Sequence, residues 1–218
     1  MKTLFPVSAC LLCSVLSFPT QAELTAELEL ANLYLFRGIN MSQSGSPMVA
    51  GELNYQHQSG LYAGVWSTSG DDAGVEVDYY LGFTGKVSNL EYDISYLNYY
   101  YPSQKGTAGA IVDFNDYAEL SLSLNYLGAG FSVTTPTKEE AAGGYQYYTL
   151  GYGNEQFSAT LGVNDHEDKR NDYSHLDLAY HINDQLSFVV SQVLTKGSGS
   201  NLNNATLWQI SYHLPINF

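Results

Sequence analysis

Nine carboxylates fall on the polar faces of alternating stretches of this chain: Glu27, Glu29, Glu52, Glu76, Asp78, Glu91, Asp93, Glu119 and Asp177. On the same faces stand one guanidinium, Arg37, and the weak bases His175, His181 and His213. The lysines Lys86, Lys105, Lys138, Lys169 and Lys196 fall in turns or loops. Fixed carboxylates crowded around a confined aqueous space attract cations and repel anions. The bland reading of the same residues is hydrogen-bonded filler between packed strands. Arg37 could hold a carboxylate or phosphate of a solute, or form a constriction. It could equally pair with an interior acid such as Glu52, because a buried lone cation needs a partner.

Other constellations say less. Ser211 and His213 share a strand face, and a serine hydrolase needs Ser, His and an orienting polar group. No G-x-S-x-G elbow or H-E-x-x-H helix accompanies them. Asp165-His166-Glu167-Asp168 offers oxygen ligands of the kind hard cations take. The adjoining Lys169-Arg170 and the absence of EF-hand spacing favour a solvated loop. No catalytic residue, metal site or cofactor is expected. The formal net charge of −14 argues against nucleic acid as a partner, since phosphates need basic side chains.

The elements that must position the acids are strands. About twelve alternating segments can be read: 24–39, 48–57, 61–67, 75–84, 90–101, 116–126, 129–135, 145–153, 156–164, 173–182, 185–193 and 206–218. In 75–84, Val75, Val77, Tyr79, Leu81 and Phe83 alternate with Glu76, Asp78 and Tyr80. In the first segment, Leu28, Leu30, Tyr34 and Phe36 fall opposite Glu27, Glu29 and Arg37. The last segment sets Trp208, Ile210, Tyr212, Leu214, Ile216 and Phe218 against Gln209, Ser211 and His213. The connections read as long and polar after odd-numbered strands and tight after even ones, which gives six long loops. Outer-membrane barrels show this asymmetry and an even strand number.

The N-terminus fits the same picture. Lys2, an apolar run from Leu4 to Phe18 and Thr20-Gln21-Ala22 form a secretory signal, with cleavage expected after Ala22. Both cysteines, Cys10 and Cys13, lie in it, so disulfides and thiolate metal sites are excluded from the mature part. No later stretch is long and apolar enough for a transmembrane helix. A mature chain in a membrane must then be a closed barrel, because only helices and barrels satisfy their backbone there. Nineteen tyrosines suit the boundary between membrane and water. The expectation is an all-β protein: residues 1–22 a signal peptide, and 23–218 a single antiparallel up-and-down transmembrane β-barrel of about twelve strands. Its last strand should close against the first and face lipid with its even-numbered residues. A barrel of this size leaves two lumens open, a narrow water-filled passage or a core filled by side chains.

Around Tyr34-Leu35-Phe36-Arg37-Gly38-Ile39 the chain resembles the TorF family of proteobacterial outer-membrane porins (Gcw_chp-type proteins). Ser42-Gln43 and the strand Ser59-Gly60-Leu61-Tyr62-Ala63-Gly64-Val65-Trp66 carry the resemblance further, with Asn40-Met41 inserted before Ser42. Val75-Glu76-Val77-Asp78 and the run from Tyr92-Asp93 to Tyr99-Tyr100-Tyr101-Pro102 add to it. The resemblance implies the cell outer membrane and a channel, and names no solute. The implied partners are outer-membrane lipid, small solutes or ions, and the barrel-assembly machinery, which would read the C-terminal strand ending at Phe218. Function then reads as a narrow, cation-favouring porin with pore-lining acids. The alternatives are a non-transporting structural or surface-interaction barrel and, more remotely, a barrel enzyme.

Overall fold

The structure, a computed structural model, describes residues 22–42, 45–105, 111, 113–138 and 144–216. The signal peptide, apart from Ala22, and the residues Gln43, Asn217 and Phe218 lie outside the described residues.

The strands are β1 (Glu23–Ala31), β2 (Leu35–Phe36), β3 (Ile39–Asn40), β4 (Met48–Gln56), β5 (Leu61–Asp71), β6 (Gly74–Val87) and β7 (Leu90–Tyr100). They continue with β8 (Tyr117–Tyr126), β9 (Ala129–Pro136), β10 (Tyr145–Gly153), β11 (Phe157–His166), β12 (Tyr173–His181), β13 (Leu186–Lys196) and β14 (Leu207–Ile216). Twelve of them, β1 and β4 to β14, close an antiparallel barrel in which each strand neighbours the next. β14 returns against β1, pairing Leu30 with Tyr212, Leu28 with Leu214 and Ala26 with Ile216. Pro215 keeps its place opposite Glu27 although it has no N–H to donate. No helix among the described residues is long and apolar enough to cross a membrane.

Alternation sorts the side chains. Trp208, Ile210, Tyr212, Leu214 and Ile216 face outward and exposed, while Gln209, Ser211 and His213 are buried inside. The same holds on β6, with Val75, Tyr79, Leu81 and Phe83 outside and Glu76 and Asp78 buried. An apolar girdle thus surrounds a polar interior.

Two expectations are corrected. The first strand stops at Ala31 and does not run to Ile39, so Tyr34 is buried inside the barrel and does not share the outer face of Leu28 and Leu30. Asn32 is the physical reason. Its side-chain amide donates to the Trp208 carbonyl at 2.9 Å and accepts from the Ile210 N–H at 2.7 Å, completing the ladder where the backbone departs. Gln209 then donates to the Leu33 carbonyl at 3.0 Å and guides the chain inward. The second correction concerns the loops. β5 and β6 extend further than their hydrophobic pattern, leaving only Asp72-Ala73 between them, so this connection is a tight turn. Lys86 belongs to β6 and pairs with Glu91 at 2.6 Å.

Flat tyrosines hold the acidic wall in shape. Tyr62 lies over Gly82, and Tyr80 over Gly64, where any Cβ would sit 2.2–2.3 Å from ring atoms. Lying flat, each ring crosses one strand and reaches a carboxylate on the next. Tyr62 donates to Asp93 at 2.7 Å, and Tyr80 to Glu52 at 2.6 Å. Gly82→Val should therefore lower stability by about 1–3 kcal/mol through overpacking. Denaturant titration in detergent checks this, and pairing the change with Tyr62→Ala should shrink the added loss.

Candidate functional site

The interior is crossed by a small hairpin. β2 and β3 pair Leu35 with Asn40 and Phe36 with Ile39 around the turn Arg37-Gly38. Both turn residues have positive φ, 50° and 79°, as a two-residue type I′ turn requires. Met41 N–H donates to the Tyr34 carbonyl at 2.8 Å, and Asp72 N–H to the Met41 carbonyl at 2.7 Å, tying the hairpin to the β5–β6 turn. Its base packs in a cluster of Ala31, Tyr34, Met48 and Ala50 with Phe36, Met41 and Trp66. The Tyr34 and Trp66 rings lie 5.7 Å apart.

The tip reaches the far wall. The Arg37 guanidinium donates to both oxygens of Glu119 on β8, at 2.8 and 2.7 Å. It also lies 4.7 Å from the Phe36 ring centre and 4.5 Å from that of Tyr147, within cation–π range. Glu119 accepts further hydrogen bonds from Tyr99 at 2.8 Å and from Tyr145. Gly38 presses on His175, where a Cβ would come within 2.4 Å of the imidazole. Arg37 therefore pairs with Glu119 rather than Glu52.

The other predicted residues also face inward, and nearly all acquire partners. His213 Nδ1 is 2.7 Å from Glu27, and its Nε2 is 3.7 Å from Glu29. His175 Nδ1 is 3.0 Å from Asp177, which also accepts from Ser191 at 2.5 Å. Glu52, Asp93 and Glu91 are held by Tyr80, Tyr62 and Lys86. Glu76 and Asp78 differ: one buried oxygen of each, Oε2 and Oδ1, has no hydrogen-bond partner among the described residues. Beside them Tyr101 donates to Asp71 at 3.4 Å.

The lumen is two-sided. Eight of the nine acids lie on β1, β4, β6, β7 and β8, and only Asp177 lies elsewhere. The opposite wall, β9 to β14, buries Ser132, Thr134, Thr149, Thr160, Ser187, Ser191 and Ser211. Pairs such as Ser132–Thr149 and Ser187–Ser211, at 2.8 and 2.7 Å, run along it. A cavity of about 10 Å³, on the scale of one water, touches Glu27, Glu29, Glu52 and Trp66. A larger one of about 390 Å³ opens beside Glu27, Asn183, Asp184, Gln185 and Pro215, at the tight-turn mouth.

The Ser211–His213–Glu27 arrangement superficially resembles a hydrolase relay, with Ser211 Oγ 3.3 Å from His213 Nε2. Ser211 is 1% exposed and shares a hydrogen bond with Ser187. In the long loop after β11, Asp168 pairs with Arg170 at 2.6 Å and Asp165 with Lys169 at 2.5 Å. Among the described residues no three His, Cys, Asp or Glu side chains converge to hold a metal ion. The signals missed in sequence were Asn32, Glu119 as partner, and the glycines beneath Tyr62 and Tyr80. Only the glycines, offset by two residues from aromatics, left a trace in the pattern.

Two predictions follow from these contacts. Glu119→Gln should cost about 3–5 kcal/mol, since it strands a buried guanidinium. Adding Arg37→Met should recover much of that loss in a double-mutant unfolding cycle. The bonds from Arg170 hold the Asp168 carboxyl down at about 2. Its charge should persist above that pH and be lost as pH falls through it. NMR titration checks this, and Arg170→Gln should return the midpoint toward the ordinary carboxylate value.

Comparison with known proteins gives one family. The model for Gcw_chp, described as a bacterial protein of unknown function, matches residues 19–211. No match was found among curated proteins. Among solved structures, the COG4313 outer membrane channel from Pseudomonas putida F1 is similar with a TM-score of 0.36 and 10% identity. The match covers 92% of this chain and 96% of that one. That likeness is distant, and the architecture stands on the strand pairing. Over most of its length, including the motifs around Arg37, the chain belongs to the Gcw_chp family of bacterial proteins.

Proposed function

We propose that the mature protein is an outer-membrane β-barrel, exported by the signal peptide at residues 1–22. In this reading it forms a narrow, cation-favouring channel for passive passage of small solutes. The membrane placement is supported by the girdle of exposed Leu, Val, Ile, Phe, Tyr and Trp side chains around a closed ladder. A soluble protein exposing so continuous an apolar surface would aggregate. The C-terminal strand β14 would be what the assembly machinery reads.

The observation that carries the channel reading is the charge on one wall. Glu27, Glu29, Glu52, Glu76, Asp78, Glu91, Asp93 and Glu119 face the lumen along the same side, and Arg37 is already neutralised by Glu119. Such a wall lowers the free energy of a passing cation and raises that of an anion. The hydroxyl wall opposite supplies neutral oxygens that can replace part of a hydration shell. Catalysis is not proposed. The N–H groups beside Ser211 are taken up by the Asn32 side chain and by pairing with β1 and β13, which leaves none of them free to form an oxyanion hole there.

A specific observation favours the second reading, a barrel that does not transport. The hairpin tip spans the lumen and is latched at Glu119. In the channel reading this hairpin forms the constriction, and ions pass beside it along the acidic wall.

Planar-bilayer recording separates the two. The expected result is a small conductance with a reversal potential shifted toward the cation. Glu52→Gln with Asp93→Asn should weaken that shift, and Arg37→Ala with Glu119→Ala should raise the conductance. Silence of both the native protein and the unlatched variant would support the non-transporting barrel, and anion selectivity would overturn the electrostatic argument.

A further inference from the structure

Glu76 and Asp78 stand apart from every other interior acid. They are two residues apart on β6, so both point into the barrel from one face, roughly 6–7 Å apart along the strand. They are 2% and 6% exposed. Glu76 Oε2 and Asp78 Oδ1 are buried without a hydrogen-bond partner among the described residues. Leaving a charged oxygen buried and unpartnered costs several kcal/mol, more than leaving a neutral group so. The neighbouring groups add oxygen and no positive charge. Asp71 is buried close by, with Tyr101 donating to it at 3.4 Å, and the Tyr34 and Tyr101 hydroxyls and the Asp71 carboxyl lie within hydrogen-bonding reach of the Glu76 carboxyl group, whose Oε2 alone is left over. The interior guanidinium, Arg37, is committed to Glu119 by two hydrogen bonds.

We infer that Glu76 Oε2 and Asp78 Oδ1 form a binding site for one dehydrated monovalent cation, behind the inner hairpin and beside Asp71. Its chemistry selects the occupant. All donors are oxygens, which hard cations take. Among the described residues no three His, Cys, Asp or Glu side chains converge as a metal cluster, so the ligands here are two carboxylate oxygens with neutral hydroxyls nearby. The ion supplies positive charge at these two oxygens, since the Arg37 guanidinium is taken up by Glu119. It also bridges β6 to the Tyr34 base of the hairpin. For its role in permeation this inference rests on the cation-favouring channel reading, but its test does not.

The test uses the native barrel in detergent. Anomalous diffraction from crystals in rubidium chloride should show one ion within coordination distance of Glu76 and Asp78, absent in the E76Q/D78N variant. In solution, the thermal midpoint should be higher in potassium or rubidium chloride than in choline chloride of equal ionic strength, and the variant should lose that difference. Absence of the rubidium peak from the native protein would overturn the inference. So would an infrared band of protonated carboxyl groups that disappears in E76Q/D78N, since shared protons would then do the work of the cation. A bound ion in a barrel without conductance sinks the channel reading and leaves the site standing. Conductance without the bound ion does the reverse.

Discussion

Register is the constraint on which the rest of this structure depends. In a closed antiparallel sheet each strand is fixed by two neighbours, and side chains alternate strictly between its faces. A one-residue slip on β6 would turn Glu76 and Asp78 outward and Val75, Val77 and Tyr79 inward. Every neighbour would have to slip too, because closure couples β14 to β1. The acids are therefore inside because the apolar residues between them must be outside, not because the interior welcomes charge.

Once inside, the acids need partners, and the fold supplies them from the same strand, from its neighbours, from the next strand but one and from the inner hairpin. Tyr62 and Tyr80 reach over glycines to Asp93 and Glu52. Histidines on β12 and β14 take Asp177 and Glu27. The tyrosine hydroxyls add no positive charge, and the wall from β1 to β8 stays rich in carboxylates. Filling the lumen with apolar side chains would have been the simpler route to stability. A polar interior with small residues on one side is instead suited to a hydrated or ion-bearing space.

The inner hairpin is an element that the closed sheet does not dictate. Asn32 lets the chain leave the wall without abandoning a ladder hydrogen bond, and Arg37-Gly38 turns it back within two residues. Its tip is fixed by a bidentate ion pair with two tyrosine hydroxyls on the same carboxylate. Such a pair is costly to break by halves and contributes specificity of placement more than net stability. It determines where the hairpin rests, and so how much of the lumen stays free.

The sequence by itself determined the strand pattern, the even strand number, the face each acid occupies and the closing role of the last strand. All of these are local consequences of a period of two and of turn residues between apolar runs. It did not determine the path of residues 32–42. The alternation through Tyr34 and Phe36 reads as more wall, and only pairing with β14 shows that Asn32 ends it. Nor did it determine which acid Arg37 meets. Glu119 is 82 residues away, brought near by closure of the barrel. The leftover oxygens of Glu76 and Asp78 were likewise decided by which side chains the closed sheet places beside them. Alternation fixes which way a side chain points, whereas what it meets depends on the strands that the closed sheet places opposite.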